Sequence, residues 1–264
     1  MLKKIEKAYL FLEENVEMLR CPICHGKFQL AAYALKCENN HTYNLNKKGY
    51  VSFLQTKADT EHYTRKMFEP RRRLIQAGMY QNLLTEIQKS FVSGNLLDVG
   101  TGEGSFLELL EGAGAKFAFD IAKDGIEMAT ELDTKSFLSL AESLSVILNI
   151  FTPSNYAEFH RVLTENGRVI KIIPDRNYLR ELREVYQLPV DYDNQAVIEH
   201  FKEEFPKNTQ QTIDYTFEIP ENLRQDFLLM SPLEWSVSEE RKKFAKENPP
   251  KTARIHVQIL IGIK

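Results

Sequence analysis

Cysteine is nearly absent: there are three in 264 residues, at positions 21, 24 and 37. So few thiols, gathered at one end, exclude a disulfide framework and point to metal binding in a reducing compartment. No apolar run reaches the ~18 residues that a membrane-spanning helix needs. The N-terminal stretch LKKIEKAYLFLEENVEML is charged throughout and has no clean apolar core, so it does not read as a signal peptide. Internal repeats and low-complexity tracts are also missing, which leaves an ordinary globular chain. Neither sign of charge prevails. The net charge is −3, so a surface for an anionic partner would have to be local. The length suits one full domain plus a small one.

The most informative stretch is residues 96–106, LLDVGTGEGSF. Leu96 and Leu97 run into Asp98, as a buried strand would. Gly100, Gly102 and Gly104 follow, and then an apolar run of Phe106, Leu107, Leu109 and Leu110 that predicts an amphipathic helix. Glycines let the backbone turn tightly and approach a ligand without Cβ clashes. A second acidic strand end, Phe117-Ala118-Phe119-Asp120, lies one strand–helix unit on, where a ribose-binding carboxylate belongs. A dinucleotide site seats its pyrophosphate with G-x-G-x-x-G. D-x-G-x-G-x-G instead favours S-adenosylmethionine, with Asp98, the three glycines and Asp120 as its site. The remaining reading is a glycine turn in a plain α/β domain.

The cysteines form C-x2-C-x12-C-x3-H: Cys21, Cys24, Cys37 and His41. Two ligand pairs separated by a hairpin's length match a structural zinc site with no open coordination position. His25 is a rival ligand, but it adjoins Cys24 and its geometry is poor. Free thiols in a small core are hard to sustain, because a module this small has little apolar core without a metal. Before it, residues 2–19 predict an amphipathic helix with Ile5, Tyr9, Leu12 and Val16 on one stripe, docked on its own protein rather than on a partner. After it, residues 42–54 alternate like a strand or hairpin, and 55–70 look like a linker.

Between 47 and 73 lie eight basic residues (Lys47, Lys48, Lys57, Arg65, Lys66, Arg71, Arg72, Arg73) against three acids (Asp59, Glu61, Glu69). Tyr50, Phe53, Tyr63 and Phe68 are interleaved. On an acidic chain this excess reads as a nucleic-acid footprint, with a solvated helix face as the competing reading. Further on, helices are expected over 71–91, 125–132, 156–163 and 178–186, and strands over 146–151, 167–173 and 254–264. This alternation predicts a doubly wound α/β sheet.

Three signatures stand in one order: the zinc pattern followed by KKGYVSFL, then RRRLIQAGMY, then LDVGTGEGSF. With ILNIFTP, EFHRVL and NGRVIKIIP, they make the chain resemble the bacterial 23S rRNA (guanine-N1) methyltransferase family. The resemblance implies a Rossmann-like class I methyltransferase domain over 61–264 behind a zinc-binding module over 1–60. It implies S-adenosylmethionine and zinc as cofactors, a 23S rRNA hairpin as substrate, a cytoplasmic setting, no membrane and a homodimer. It also places Tyr80, Phe106 and Leu107 beside the cofactor, and Tyr178 with them where relatives carry a His-Leu pair. One stretch departs from the family. Only 25 residues, 121–145, separate Asp120 from Val146, and the family's acid plus L-P-F segment is missing there. Three readings are open: Glu142 replaces the acid that meets the adenine amine, a deletion weakens cofactor binding, or residues are missing from this stretch of the sequence.

Methyl transfer is an in-line displacement, so alignment is the enzyme's main task. Guanine N1 must lose its proton, and the base has to leave its stack to reach a buried methyl. Asn149 is placed to hydrogen-bond the base or the methionine part of the cofactor. No residue stands out as the general base. Two other functional classes remain: a small-molecule methyltransferase with a zinc appendage, and a zinc-dependent RNA-binding protein with weakened catalysis. Calorimetry with S-adenosylmethionine and with rRNA hairpins separates them.

Overall fold

A computed structural model describes residues 2–54, 60–111, 114–132, 143–189 and 193–264. The first half of the chain runs α1 (Lys4–Asn15), β1 (Phe28–Ala31), β2 (Ala34–Cys37), β3 (Thr42–Asn44), α2 (Arg65–Gln76), α3 (Gln81–Lys89), β4 (Leu96–Val99), α4 (Ser105–Leu109), β5 (Lys116–Phe119) and α5 (Lys123–Ala129). The second half runs β6 (Leu144–Ile150), α6 (Tyr156–Val162), β7 (Leu163–Pro174), α7 (Arg180–Val185), α8 (Gln195–Glu204), β8 (Lys207–Glu218), α9 (Arg224–Leu229), α10 (Glu239–Glu247) and β9 (Thr252–Ile263). These elements gather into two compact units. One holds residues 1–60, 91–169 and 263–264; the other holds 61–90 and 170–262.

In the first unit β4 lies between β5 and β6 and is parallel to both. Leu96 is opposite Lys116 and Val146, and Val99 is opposite Phe119 and Asn149. The register brings the carboxyl ends of three strands level. The turn after β4, Asp120 after β5 and the loop after β6 therefore share the edge at which parallel α/β sheets bind ligands. Residues 146–150 of β6 are all buried, as a parallel strand covered on both faces requires. This is the Rossmann-like α/β architecture expected from the sequence. The helix expected after the glycines is short: α4 ends at Leu109, whose side chain is exposed, while Leu110 is buried beyond it. Among the described residues no strand lies between β5 and β6; residues 133–142, with Glu142, fall outside them.

The N-terminal helix docks within this unit on a stripe that shares Leu12 with the expected one and is rotated away from its other members. Ala8, Phe11 and Leu12 are buried, whereas Ile5, Tyr9 and Val16 are half-buried. The Phe11 ring sets the rotation by meeting Phe117 of β5 edge-on, with centroids 5.3 Å apart. Tyr9 instead leans on Tyr33. Strands β1, β2 and β3 form a three-stranded antiparallel ribbon. Ala32 and Tyr33, at φ 48° and 61°, make the two-residue turn between β1 and β2. A bridge from Leu45 to Val51 closes the hairpin expected over 42–54.

In the second unit the single helix expected over 71–91 is two helices, and the supposed linker is helical from Arg65 onward. Proline usually opens a helix, yet α2 runs through Pro70. Burial of Met67, Phe68 and Pro70 offsets the missing hydrogen bond. Gly78, at φ 92°, ends α2: its N–H bonds Ile75 O, and the N–H of Met79 bonds Leu74 O. That pair of bonds is a Schellman stop, and it separates α2 from α3. The strand order here is β7-β9-β8. The bonds Asp175 N to His256 O and Lys264 N to Gly167 O set β9 antiparallel to β7. Strand β8 has no buried residue, although Ile213, Tyr215 and Phe217 alternate along it and are half-buried; α8, β8, α9 and α10 are not among the elements expected above.

Candidate cofactor turn and metal centre

The turn after β4 is built by three glycines with positive φ: 75° at Gly100, 56° at Gly102 and 82° at Gly104. Side chains rarely adopt this region. At Gly100 space also forbids one, because a Cβ there would lie 2.7 Å from Thr152 Oγ1. The turn is fastened at both ends. Asp98, 2% exposed, accepts a 2.7 Å bond from the Thr101 hydroxyl. The N–H groups of Gly100 and Thr101 donate to Phe119 O at 2.8 and 2.9 Å. Asp120 accepts from Gly102 N with Oδ2 and from Ala122 N with Oδ1, both at 2.7 Å. Five of the predicted site residues, Asp98, the three glycines and Asp120, thus form one hydrogen-bonded loop. Thr101 was not anticipated; its role depends on its spacing from Asp98 once the turn exists.

Asn149, at the end of β6, is fully buried. Its amide donates to Pro153 O at 3.1 Å, and its carbonyl oxygen accepts from Ser154 at 2.8 Å. It therefore shapes the following loop, in which Phe151 sits at φ 56°. A bulky residue in that region is strained, and such strain gathers at functional loops. Phe106 and Leu107 are buried in α4. Tyr80 and Tyr178 belong to the second unit, where their hydroxyls are 2.7 Å apart. Burial, and then Tyr80, push the Tyr178 hydroxyl well above its ordinary pKa, while the Arg71 charge opposes them. Tyr178 is thus a neutral hydrogen-bonding group and no base.

The metal ligands converge as the spacing predicts. The ligand atoms of Cys21, Cys24, Cys37 and His41 all lie within 4.8 Å of one another. His41 Nδ1 is 3.5 Å from Cys21 Sγ and 3.3 Å from Cys37 Sγ, and the sulfurs of Cys24 and Cys37 are 3.6 Å apart. A tetrahedral zinc with Zn–S of about 2.3 Å and Zn–N of about 2.0 Å sets edges of roughly 3.5–3.8 Å, so the donor set fits the ion. His25, at φ 57°, is outside the cluster. Hydrogen bonds from the Asn39 side chain, then from the Gly26 backbone, pull the Cys24 thiol down to about 6. Burial pushes Cys37 the other way.

The basic residues are less uniform than their count suggested. Lys47 and Lys48 are exposed at the tip of the hairpin after β3, and Lys66 is exposed on α2. Arg65 pairs with Glu69 at 3.5 Å, and Arg71 and Arg72 are half-buried. Arg73 is held by both oxygens of Asp226, at 2.6 and 2.7 Å. Lys57 lies outside the described residues.

Known proteins place this geometry in context. A zinc-ribbon family model described as "RlmA, N-terminal" matches residues 19–58. YxjB of Bacillus subtilis (strain 168), which carries the name of a 23S rRNA (guanine-N(1)-)-methyltransferase, is 34% identical over 95% of this chain and 98% of its own. The 23S rRNA (guanine(748)-N(1))-methyltransferase of Streptomyces fradiae is 24% identical over 83% of this chain and 86% of its own. Among solved structures, a SAM-dependent methyltransferase from Archaeoglobus fulgidus aligns with a TM-score of 0.43 and 17% identity, over 76% of this chain and 97% of that one. Among the described residues no helix is long and apolar enough to cross a membrane.

Proposed function

Because the chain belongs to the family of 23S rRNA (guanine-N1) methyltransferases, we propose that it moves a methyl group from S-adenosylmethionine to N1 of a guanine in a 23S rRNA hairpin. The observation that carries this reading is the glycine turn after β4, bound through Gly102 to Asp120 beside a four-ligand zinc ribbon. We assign residues 1–60 to the zinc module and 61–264 to the transferase domain. The module and Lys47, Lys48, Arg65, Lys66, Arg71 and Arg72 serve the rRNA side. Tyr80, Asp98, Gly100, Gly102, Gly104, Phe106, Leu107, Asp120, Asn149 and Tyr178 serve the cofactor side. A homodimer and a cytoplasmic setting complete the proposal and rest on the family alone.

Bound S-adenosylmethionine supplies an electrophilic methyl group on a sulfonium sulfur. The chain's part is to bind and orient. Gly100 and Gly102 let the backbone approach the cofactor, and the bond from Thr101 to Asp98 keeps that turn in place. Asp120 retains lone pairs for the ribose hydroxyls beyond those engaged by Gly102 and Ala122. Asn149 and Ser154 hold the loop at the end of β6, where a guanine lifted from its stack would be received. Preorganised positioning of this kind is worth about 7–11 kcal/mol in well-aligned reactions. Zinc holds the ribbon folded and leaves no site open for chemistry.

Incubation of the protein with methyl-labelled S-adenosylmethionine and 23S rRNA hairpins tests the reading. A methyl on N1 blocks the Watson–Crick edge, so primer extension should stop one base short of a labelled guanine. Label on another atom, or on no RNA, rejects it.

A further inference from the structure

A cavity of ≈ 360 Å³ opens beside Asp120 within the first unit. One wall is Pro22 and residues 50–54, which belong to the zinc module; the other is residues 118–121 with Lys123 and Ile126. The volume falls in the range of small-ligand pockets, roughly 300–1,000 Å³, and admits a nucleoside rather than a folded hairpin. Its lining is mostly apolar, with one carboxylate, Asp120, at hand. Two large apolar side chains face open space on opposite walls: Leu54 is 49% exposed and Ile121 is 45% exposed. Exposed aliphatic groups across a gap beside a hydroxyl-accepting carboxylate suit a flat, weakly polar ring attached to a ribose.

The module is held against this wall by packing. Tyr50 is 9% exposed, and burial, followed by the charge of Glu127 on α5, raises its hydroxyl pKa. Phe53 stacks inside the ribbon on Tyr43, with centroids 4.9 Å apart. The zinc ligands, the ribbon core and the cavity wall are thus one continuous piece. Strand β5 is the terminal strand in the order β5-β4-β6. No further described strand is present to wall the adenosine side beyond Asp120.

We propose that the zinc module forms part of the cofactor site: residues 50–54 cover the adenine ring of S-adenosylmethionine opposite Ile121, so that a folded ribbon is a condition for tight cofactor binding. This rests on the methyltransferase reading and adds a partner wall to it. The zinc ion then acts on the cofactor through structure alone, at a distance from the methyl group.

Calorimetric titration of S-adenosylmethionine and S-adenosylhomocysteine into the full chain tests the proposal. Ser52→Trp should fill the cavity, and Leu54→Glu should set a charge against the ring. Each is expected to raise Kd for both ligands about tenfold or more, with zinc still at one per chain. Ser52 and Leu54 are both exposed, so neither change opens the ribbon core. Leu54→Ala, with a smaller loss, serves should a larger substitution unfold the ribbon. Wild-type affinity in zinc-loaded Ser52→Trp and Leu54→Glu overturns the proposal. So does a loss confined to rRNA hairpin affinity, which would give the cavity to a nucleotide of the RNA. Absence of cofactor binding by the unmodified protein would instead reject the methyltransferase reading itself.

Discussion

The backbone N–H of Gly102 donates to Oδ2 of Asp120 at 2.7 Å, tying the glycine turn to the end of the neighbouring strand. Under the proposed function Asp120 would have two tasks, one structural and one toward the ribose. Asp120→Ala removes both and should weaken S-adenosylmethionine binding about 10- to 100-fold. Asp120→Asn keeps one carbonyl acceptor and should lose less. Calorimetry on the two variants separates the tasks, and equal, unchanged affinities would remove Asp120 from the site. Gly102→Val is the poorer probe. With φ at 56°, a β-branched residue strains the backbone before any ligand arrives.

Zinc should be stoichiometric and structural. Cys37→Ser leaves three ligands in a ribbon with a small apolar interior, of which Phe28, Leu35, Tyr43, Leu45 and Val51 are buried members. The expected outcome is loss of the ion and collapse of the β1–β3 resonances in a heteronuclear NMR spectrum, with those of β4–β6 retained. Full zinc content in this variant would reject the ligand set. His25→Ala should keep its metal, because His25 is not among the converging donors.

Much of this site was legible because its signals are local. A C-x2-C knuckle, a glycine turn and an acid at a strand end are each specified within a few residues, and the short run 146–151, stopped by Thr152-Pro153, reads as a covered strand. Where distant partners decide, the sequence was silent. Phe117 rotates α1 away from its expected stripe, and burial of Met67 and Phe68 carries α2 through Pro70. Strand β8 lies at the end of its order, and its first half, residues 207–212, is wholly polar, so that only Ile213, Tyr215 and Phe217 alternate along it. The cavity joins residues some 70 positions apart, and nothing in YVSFL alone predicts the facing wall.

Lys171 gives a pH-dependent stability. It lies in β7, 4% exposed, and burial lowers its ammonium to about 8. In the unfolded chain it titrates near 10.4. Below about pH 8 both states are protonated, and the fold bears the full cost of a buried charge. Between about 8 and 10.4 the unfolded state binds more protons, so stability rises with pH. Lys171→Met should stabilise the protein at pH 7 by on the order of 2–3 kcal/mol and flatten denaturant midpoints across that window. Parallel pH profiles for the two proteins would contradict this.

We expect the Arg73–Asp226 pair to serve the fold rather than the RNA surface. The arginine hydrogen-bonds both carboxylate oxygens, which raises its pKa, first through that bond. Its side chain is 47% exposed, so Arg73→Ala should cost only about 1 kcal/mol or less in a chemical denaturation. Hairpin affinity should not move. A tenfold loss of RNA binding in a stable Arg73→Ala variant would return this residue to the interface.

Phosphate contacts are better sought at the three exposed lysines. Lys47 and Lys48 stand at the tip of a hairpin whose turn Gly49, at φ 89°, makes possible and which a bond from Lys48 N to Asn46 Oδ1 fastens. Lys66 projects from the first turn of α2, without burial. Charge on a backbone turn that is already ordered can meet a phosphate with little loss of backbone entropy, and each neutralised phosphate releases counterions. Lys47→Glu combined with Lys48→Glu should weaken binding of a 23S rRNA hairpin strongly at low salt. The slope of log K against log salt should also become shallower by about 0.7–0.9 for every phosphate that the variant no longer neutralises. Lys66→Glu alone should change the slope by about half as much. Cofactor affinity, measured in parallel, should stay at the wild-type value, because neither lysine at the tip lines the cavity beside Asp120. An unchanged salt slope in the double variant would show that the hairpin tip does not touch the RNA backbone, and would leave Arg65, Lys66, Arg71 and Arg72 as the remaining basic candidates.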